Sequence, residues 1–308
     1  MHNLTEILNS LKIQYKRVGS VLPDTFSSIA PLAIMQKDTL VFFNKPDDNT
    51  VTVLQKARNV VVLLEAKWGE QNIDAIRDSE ASIFLVGNPR LVVARLLSWV
   101  NPNEDPWDEG IHPTATVHDD ADIHPSVSIG RHAIIGKCVI GENSRVGSFS
   151  VIKDGAVIGK NVVIREFCHI GGCGFGIVRD ESNNQLVRFP HVGGVIVGDD
   201  VELFPYVNVD RGALGNTVIK RGTKVDHYSH IGHNCIVGEN TIMTARTVMC
   251  GGSSVGENSW VGVGAIIKEK VRVGNHVTVG LGAVVIRNVE DDLVVAGVPA
   301  KPMKRSDE

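Results

Sequence analysis

Apolar positions repeat every six residues over most of the carboxy-terminal part of the chain. Between residues 219 and 285, twelve consecutive positions in steps of six carry an aliphatic side chain or Met. A second run occupies 134–170, and a short third run at 111–129 is out of phase with it by one residue. With 43% hydrophobic residues, twelve matches in one register have a chance of about four in a hundred thousand.

A period of six fits neither an α-helix nor a simple alternating strand, and it predicts a short strand followed by a turn. Three such units close a triangular coil of about 18 residues, in which the repeated aliphatic side chain points inward and stacks on neighbouring coils. Gly and Asn recur beside the repeated position, and both tolerate the left-handed backbone of tight corners. The predicted fold class is therefore mainly β, a left-handed parallel β-helix.

The domain organisation follows from where this period begins and stops. Residues 1–100 lack it, and apolar runs there alternate with helical stretches, which predicts a small α/β domain. The stretch 101–110 is rich in Pro, Asn and acidic residues and is the predicted linker. The β-helix is predicted over 111–295, and residues 296–308 form a tail.

Two segments interrupt the period inside the predicted β-helix, at 171–194 and 210–218. Both are rich in Gly and polar residues, and loops that leave a rigid scaffold are where binding groups concentrate. We therefore expect ligand contacts from these loops.

Charge and cysteine content exclude several classes of protein. The net charge of −4 gives no basic surface for nucleic acid. The five cysteines contain no CxxC pair and are expected to be reduced thiols, some filling apolar positions. No run of about 18 apolar residues occurs. These features predict a soluble cytoplasmic protein with at most peripheral membrane contact.

The densest chemical cluster is the segment 226–234, which contains His227, His230 and His233. As metal ligands, three histidines spread over two walls of one coil converge poorly unless a neighbouring subunit completes the site. As surface residues they need no explanation. As a general base, one imidazole beside a carboxylate such as Asp226 could deprotonate an attacking amine or hydroxyl. Spacing alone does not choose among the three histidines.

Stacking of the coils adds one further candidate. The residue 18 positions after His233 is Gly251, so the two are expected to be neighbours in successive coils. A glycine there leaves its backbone N–H uncovered beside the imidazole, where an oxyanion donor is needed. The alternative is that Gly251 is only a corner glycine.

The chain also resembles the UDP-3-O-(3-hydroxyacyl)glucosamine N-acyltransferase family of lipid A biosynthesis over about residues 5–295. The resemblance is carried by these segments: SSIAPLAIMQKDTLVFFN (27–44), NPRLVVARLL (88–97), IHPTATVHDDADI (111–123), GFG (174–176), VDRGALGNTVI (209–219) and HIGHNCIVGENT (230–241). By position in these segments, the resemblance implies His233 as the base, Asp226 as its orienter and the Gly251 N–H as the oxyanion donor.

The resemblance further implies that the amino-terminal domain binds the uracil of a UDP-sugar. The aromatic residue maps onto Phe42 or Phe43 and the amide onto Asn44, with the alternative that both phenylalanines are core residues of a strand. We place three further residues, His230, Asn234 and Lys270, among the predicted substrate-binding residues.

Several positions depart from the family pattern. Lys270 replaces a second histidine, and Cys173 replaces an Asp before GFG. The family continues into a carboxy-terminal helix that engages acyl carrier protein. Here residues 297–301 read GVPAK, which resembles the tail of CoA-dependent hexapeptide acetyltransferases.

The predicted function is transfer of an acyl group, expected to be a 3-hydroxyacyl group, from a thioester carrier to the amine of a nucleotide-linked amino sugar. Acyl carrier protein and CoA are both open as donor, no metal or permanently bound cofactor is expected, and the resemblance implies a homotrimer. One alternative is a CoA-dependent enzyme for a different nucleotide amino sugar of O-antigen or capsule. The other is a non-catalytic or metal-binding β-helix scaffold.

Overall fold

The structure is a computed structural model that describes residues 1–18, 24–102, 107 and 109–303. It divides into two compact units, Met1–Pro106 and Trp107–Glu308. Each unit contains its own buried hydrophobic clusters. Within the described ranges no helix is long and apolar enough to cross a membrane.

The first unit is built on a five-stranded, mostly parallel sheet. In spatial order its strands are Tyr15–Val18, Glu80–Val86, Arg58–Glu65, Thr39–Phe42 and Ser28–Ile29. Only Tyr15–Val18 runs antiparallel to its neighbour. A separate antiparallel pair joins His2–Asn3 to Thr25–Phe26.

Helices cover both faces of this sheet, so its central strands are buried on both sides. One face packs on Leu54 and Ile76, and the other packs on Leu8 and Leu96. The helices are Leu4–Ser10, Asp48–Lys56, Ala66–Gln71, Ile73–Ile76 and Pro89–Val100, with a 3₁₀ turn at Leu32–Ile34. The α/β character predicted for this region is thus observed.

The second unit is a prism of three parallel sheets, here called the first, second and third walls. Strands of the first wall are Ser128–Ile129, Arg145–Val146, Val163–Ile164, Glu202–Leu203, Lys224–Val225, Ile242–Met243, Trp260–Val261, Thr278–Val279, Val294–Ala296 and Lys301–Met303. Only the last of these, Lys301–Met303, is antiparallel to its neighbour. The predicted left-handed parallel β-helix is confirmed.

The other two walls complete each coil. Strands of the second wall are Thr116–Val117, Ile134–Ile135, Val151–Ile152, His169–Gly172, Asn208–Asp210, His230–Ile231, Val248–Met249, Ile266–Ile267 and Val284–Val285. Strands of the third wall are Asp122–Ile123, Val139–Ile140, Ala156–Ile158, Val195–Val197, Thr217–Ile219, Ile236–Val237, Ser254–Val255 and Arg272–Val273.

The repeated aliphatic residues form one continuous core along the prism. Ile231, Met249 and Ile267 lie above one another in the second wall and are fully buried. Because each coil covers the next, these three side chains are removed from water by contacts within their own coils and with the neighbouring coils.

The predicted register is wrong at one position near the start of the prism. Ile134, assigned to the inward row, is 49% exposed, whereas the next residue, Ile135, is 2% exposed. The run at 111–129 therefore continues to Ile135. The turn that follows Ile135 is one residue shorter than the neighbouring turns, so the next inward residue is Ile140. Two adjacent isoleucines satisfy either phase in sequence, so only the turn length distinguishes them.

Both interruptions of the period leave the prism at the same corner, between the second and third walls, here called the loop corner. The first lies between His169–Gly172 and Val195–Val197, and it contains an antiparallel hairpin of Ile177–Arg179 with Leu186–Arg188. The second lies between Asn208–Asp210 and Thr217–Ile219. Both loops therefore emerge on one edge of the scaffold.

A different corner, between the first and second walls, carries a ladder of stacked rings. His132, Phe149, Phe167, Tyr206 and Tyr228 follow one another at centroid distances of 4.9–5.2 Å. Each of these residues has a positive φ, so the tight corner places one ring directly above the next. Stacking offsets the cost of a left-handed backbone at non-glycine residues.

The corrected register predicts unequal effects for two adjacent substitutions. Ile135→Ala should lower the free energy of unfolding by about 2–5 kcal/mol, because it opens a cavity in the core. Ile134→Ala should cost less than about 1 kcal/mol, because that side chain is outside the core. Chemical denaturation of the two variants measures the difference, and equal losses would contradict this register.

Candidate active site

The loop corner brings two predicted catalytic residues, His233 and Gly251, into one column with the predicted substrate-binding residue Lys270. His233, Gly251 and Lys270 all follow second-wall strands, in three successive coils. Gly252 donates its backbone N–H to the His233 carbonyl at 2.8 Å, and Lys270 donates to the Gly251 carbonyl at 3.2 Å. The stacking predicted for His233 and Gly251 is therefore present in the structure.

Asn234 fixes the tautomer of the His233 ring. Its side-chain Oδ1 accepts the backbone N–H of Ala213 at 2.9 Å and lies 3.1 Å from Nδ1 of His233. Because Oδ1 can only accept, Nδ1 of His233 must carry the proton. In the neutral ring, the other nitrogen, Nε2, then carries the lone pair that a general base requires.

The loop at 210–218 sets this arrangement, because Ala213 lies in it. A second contact holds the corner: the Asn234 backbone N–H donates to Oγ1 of Thr217 at 2.9 Å. Asn234 also has a φ of +59°, a conformation that Asn tolerates well. Asn234, predicted among the substrate-binding residues, thus contacts the ring of His233.

Gly251 packs directly against the Nε2 edge of His233. A methyl group on the Gly251 Cα would lie only 2.5 Å from Nε2, so any other residue would displace the ring. Within the described part of the chain, the Gly251 N–H makes no hydrogen bond. A backbone donor is thus available next to the basic nitrogen.

The structure does not place Asp226 beside His233. Its carboxylate accepts the backbone N–H of His227 at 2.7 Å and lies 2.6 Å from Nδ1 of the same residue. Burial alone would raise the pKa of Asp226, but the hydrogen bonds from His227 outweigh it and leave the pKa lowered. Asp226 follows a first-wall strand, one corner away from His233. The predicted orienting role of Asp226 is therefore wrong within a single chain.

His230 belongs to a polar cluster on the outer face of the second wall. Its Nδ1 accepts from the Asn208 amide at 2.9 Å, and its Nε2 lies 3.7 Å from the carboxylate of Asp210. The same Asn208 side chain contacts Nδ1 of His169 at 3.2 Å. His230 is thus engaged by side chains of the preceding coil, although it lies only three residues before His233.

Lys270 and Cys173 lie on either side of the predicted base along the loop corner. Lys270 is exposed, two coils beyond His233, which corresponds to about 9.5 Å of strand spacing. Cys173 is also exposed and begins the first loop. It lines a groove of about 440 Å³ on the second wall together with Lys153 and Arg211.

Another cysteine, Cys250, immediately precedes Gly251. Burial, followed by the nearby Glu269 carboxylate, raises the pKa of the Cys250 thiol. Burial likewise raises the pKa of Cys168 to about 12. These thiols stay protonated near neutral pH, so they are not competing nucleophiles at the site.

The predicted uracil-binding residues lie in the first unit. Phe43 is 7% exposed and packs in the hydrophobic cluster on one face of the sheet, so it cannot offer its ring to a ligand and is corrected to a core residue. Phe42 is half-buried on the opposite face. Asn44 is exposed just beyond the end of Thr39–Phe42, at the carboxyl edge of parallel strands where ligands commonly bind.

One further residue of this site, His191, is not predicted from the sequence. Its ring lies 4.8 Å from that of His233 at an interplanar angle of 78°, and it comes from the far end of the first loop. The signal in sequence was only that this loop interrupts the period. Among the described residues, no group of three or more His, Cys, Asp or Glu side chains is arranged to hold a metal ion.

Comparisons with known proteins agree with this architecture. The bacterial transferase hexapeptide (six repeats) family matches residues 137–172 and 216–251. A UDP-3-O-acylglucosamine N-acyltransferase of Coxiella burnetii is 35% identical over 173 residues, covering 49% of each chain. Another, from Polynucleobacter asymbioticus, is 27% identical over 261 residues, covering 76% of this chain and 72% of the relative.

A solved structure shows the same fold. The UDP-N-acetylglucosamine acyltransferase of Francisella novicida superposes with a TM-score of 0.57 at 28% identity, covering 63% of this chain and 69% of that one. The match with the first curated relatives is shorter, since the chain spans about half of their length.

The fold and the repeats define the chain as a hexapeptide-repeat protein of the left-handed β-helix class. Within that class it is related to the UDP-3-O-acylglucosamine N-acyltransferases, and the resemblance stated from the sequence segments is confirmed.

The contact between Gly251 and His233 can be tested by adding one methyl group. Gly251→Ala should lower the rate of a reaction that uses His233 as its base by about 10²-fold, because the imidazole must swing away from its position against Gly251. The free energy of unfolding should change by less than about 1 kcal/mol, since a side chain rather than the backbone moves.

Gly87→Ala is the matched control, because a methyl group there meets open space. Steady-state kinetics and denaturation of both variants make the comparison. Full activity of Gly251→Ala would show that this ring position is not needed.

Proposed function

We propose that the protein is an N-acyltransferase that moves an acyl group from a thioester to the amine of a nucleotide-linked amino sugar. The observation that carries this proposal is the contact that holds Nδ1 of His233 against Asn234 and leaves the Nε2 edge of the ring against Gly251. The curated relatives are named for the same class of reaction.

In the proposed mechanism His233 removes a proton from the acceptor. The acceptor binds as the neutral amine, which attacks the thioester carbonyl and loses this one proton to Nε2 of His233 as the C–N bond forms, and the negative charge that develops on oxygen is stabilised by the Gly251 N–H. The tetrahedral intermediate collapses with cleavage of the C–S bond. The thiolate then takes the proton from His233, so the base is regenerated and the products are an amide and a thiol.

The donor and the acceptor follow from this chemistry. A thioester is already activated, so no permanently bound cofactor is needed, and acyl-CoA and acylated acyl carrier protein both supply one. Lys270, exposed on the same corner, offers a positive charge to a phosphate of donor or acceptor. In the first unit, Phe42 and Asn44 are the proposed contacts to the nucleotide base.

We also propose that the protein assembles as a homotrimer. Support comes from the hairpin of the first loop, where Ile177, Val178, Leu186 and Val187 are 43–63% exposed, and from Phe175, which is 89% exposed. So many exposed apolar side chains in one segment indicate a surface that is covered in the assembly. A prism with three walls favours threefold closure.

Unpaired thiols at all five cysteines favour a reducing compartment, and we propose the cytoplasm.

His233→Ala should lower kcat by about 10²–10⁴-fold, the range typical of losing a general base. Its melting temperature should hardly change, because the ring is a partly buried corner residue outside the core. The assay follows release of free thiol from acyl-CoA in the presence of a UDP-linked amino sugar.

His227→Ala is the matched control, because its imidazole occupies the equivalent position at the neighbouring corner. It should retain most of the wild-type activity. If His227→Ala is inactive and His233→Ala is active, the site lies at the other corner and the proposed assignment fails.

The assembly can be tested separately on the hairpin. Leu186→Glu should shift the particle towards a monomer in multi-angle light scattering, because it buries an unpaired charge in an apolar contact. Gln185→Glu adds the same charge at the preceding residue, which is exposed and polar, and this variant should remain a trimer. A wild-type protein that is monomeric at all concentrations would refute the homotrimer.

A further inference from the structure

His191 lies against the proposed catalytic base but is not part of the mechanism described above. It follows Phe189 at the end of the first loop, and its ring packs nearly perpendicular to that of His233 at 4.8 Å. The side chain is well buried, with 6% exposure. The position of this imidazole is therefore set by protein contacts.

The tautomer of His191 is set by one hydrogen bond. Its Nδ1 lies 3.0 Å from the backbone carbonyl of Phe189, and a carbonyl can only accept, so Nδ1 carries the proton. In the neutral ring, Nε2 is therefore an acceptor. It is buried and finds no hydrogen-bond partner among the residues that the structure describes.

An unsatisfied buried acceptor is costly, and native structures keep few of them. In this case the acceptor lies at the edge of the proposed site. A methyl group on Gly174 would lie 2.9 Å from Nε2 of His191 and 3.0 Å from Cδ2 of His233. The space beside the Gly174 Cα therefore borders both rings.

The backbone of Gly174 covers this space. Gly174 lies between the second-wall strand that ends at Gly172 and the hairpin strand that begins at Ile177, so it belongs to neither strand. A ligand that displaces Gly174 gains access to the lone pair of His191. Gly176 also packs on the His191 ring without a side chain.

We propose that His191 selects amines over hydroxyls as acyl acceptors, by accepting a hydrogen bond from the reacting nitrogen. A primary amine has two hydrogens: His233 takes one as the C–N bond forms, and the other remains to donate to Nε2 of His191. A hydroxyl has only one hydrogen, and once His233 removes it the lone pair of His191 again has no partner. This inference rests on the proposed function.

A site that hydrogen-bonds a substrate rejects an analogue that lacks the donor, because its own buried group stays unpaired. The loss of one neutral hydrogen bond corresponds to about a tenfold change in rate or affinity. His191 should therefore contribute about tenfold to the ratio of kcat/KM for an amine over that for a hydroxyl.

The test measures this ratio in the full-length protein, with UDP-glucosamine and UDP-glucose as acceptors and 3-hydroxyacyl-CoA as donor. His191→Phe keeps a planar ring against His233 but removes the acceptor, and the ratio should fall about tenfold. His191→Gln restores an acceptor without the ring, and it should keep most of the wild-type ratio. His132→Phe, which retains ring stacking on Phe149, is the control and should keep the ratio unchanged.

A role in packing alone predicts the reverse order, with His191→Phe normal and His191→Gln impaired, and that result would overturn the inference. An unchanged ratio in His191→Phe, with a wild-type protein that acylates UDP-glucosamine, also overturns it and leaves the proposed function standing. A wild-type protein that neither binds nor acylates UDP-glucosamine removes the proposed function and this inference with it.

One measurement uses only the wild-type protein and so does not require any variant to fold. The ¹⁵N resonance of His191 Nε2 in the wild-type protein should shift on addition of UDP-glucosamine, because a lone pair without a partner gains one. An unchanged resonance under conditions in which UDP-glucosamine binding is detected by calorimetry would refute the hydrogen bond.

Discussion

The vertical register between coils is the constraint on which the rest of this structure depends. Each strand of the prism has only two to four residues, too few to be stable alone, and it persists because the strands above and below pair with it. The inward aliphatic side chains enforce that pairing, since a shift of one residue would turn them outward. Consequently a residue at a corner has a defined neighbour one coil away, as His233 has in Gly251.

The same constraint lets the chain carry long loops without disturbing the scaffold. The first loop separates His169 from its partner Asn208 by 39 residues, and the second separates Asn208 from His230 by 22, yet all three lie in the second wall. Because both loops open at one corner, their backbone and side chains converge on His233. Ala213 from the second loop orients Asn234, and His191 from the first loop packs on the ring.

The sequence was sufficient for whatever depends on periodicity. Six-residue spacing predicted the β-helix and the stacking of Gly251 on His233, because both follow from coil length. It was insufficient at Ile134 and Ile135, where two identical side chains concealed a shorter turn. It also misjudged Asp226: closeness in sequence suggested a partner for His233, but the chain turns a corner between them.

The six-residue periodicity could not predict the loop contacts, for a different reason. Asn234 and His191 meet the base through turns whose conformation is set by tertiary contacts, such as Ala213 N–H to Asn234. Phe42 and Phe43 show a related ambiguity, because adjacent residues of a strand face opposite sides and either could be the core residue. Burial resolves it in favour of Phe43 as the core side chain.

The ring ladder implies a rule for how such a chain can change in length. Duplicating or losing one full coil moves everything beyond it along the prism axis without rotation, so rings stay above rings and the loop corner stays in line. An insertion or deletion of a single hexad instead rotates the downstream part by one wall, which would place aromatic side chains above glycines and carry Gly251 away from His233. Lineages of this protein should therefore differ by whole coils or by loops, and not by single hexads.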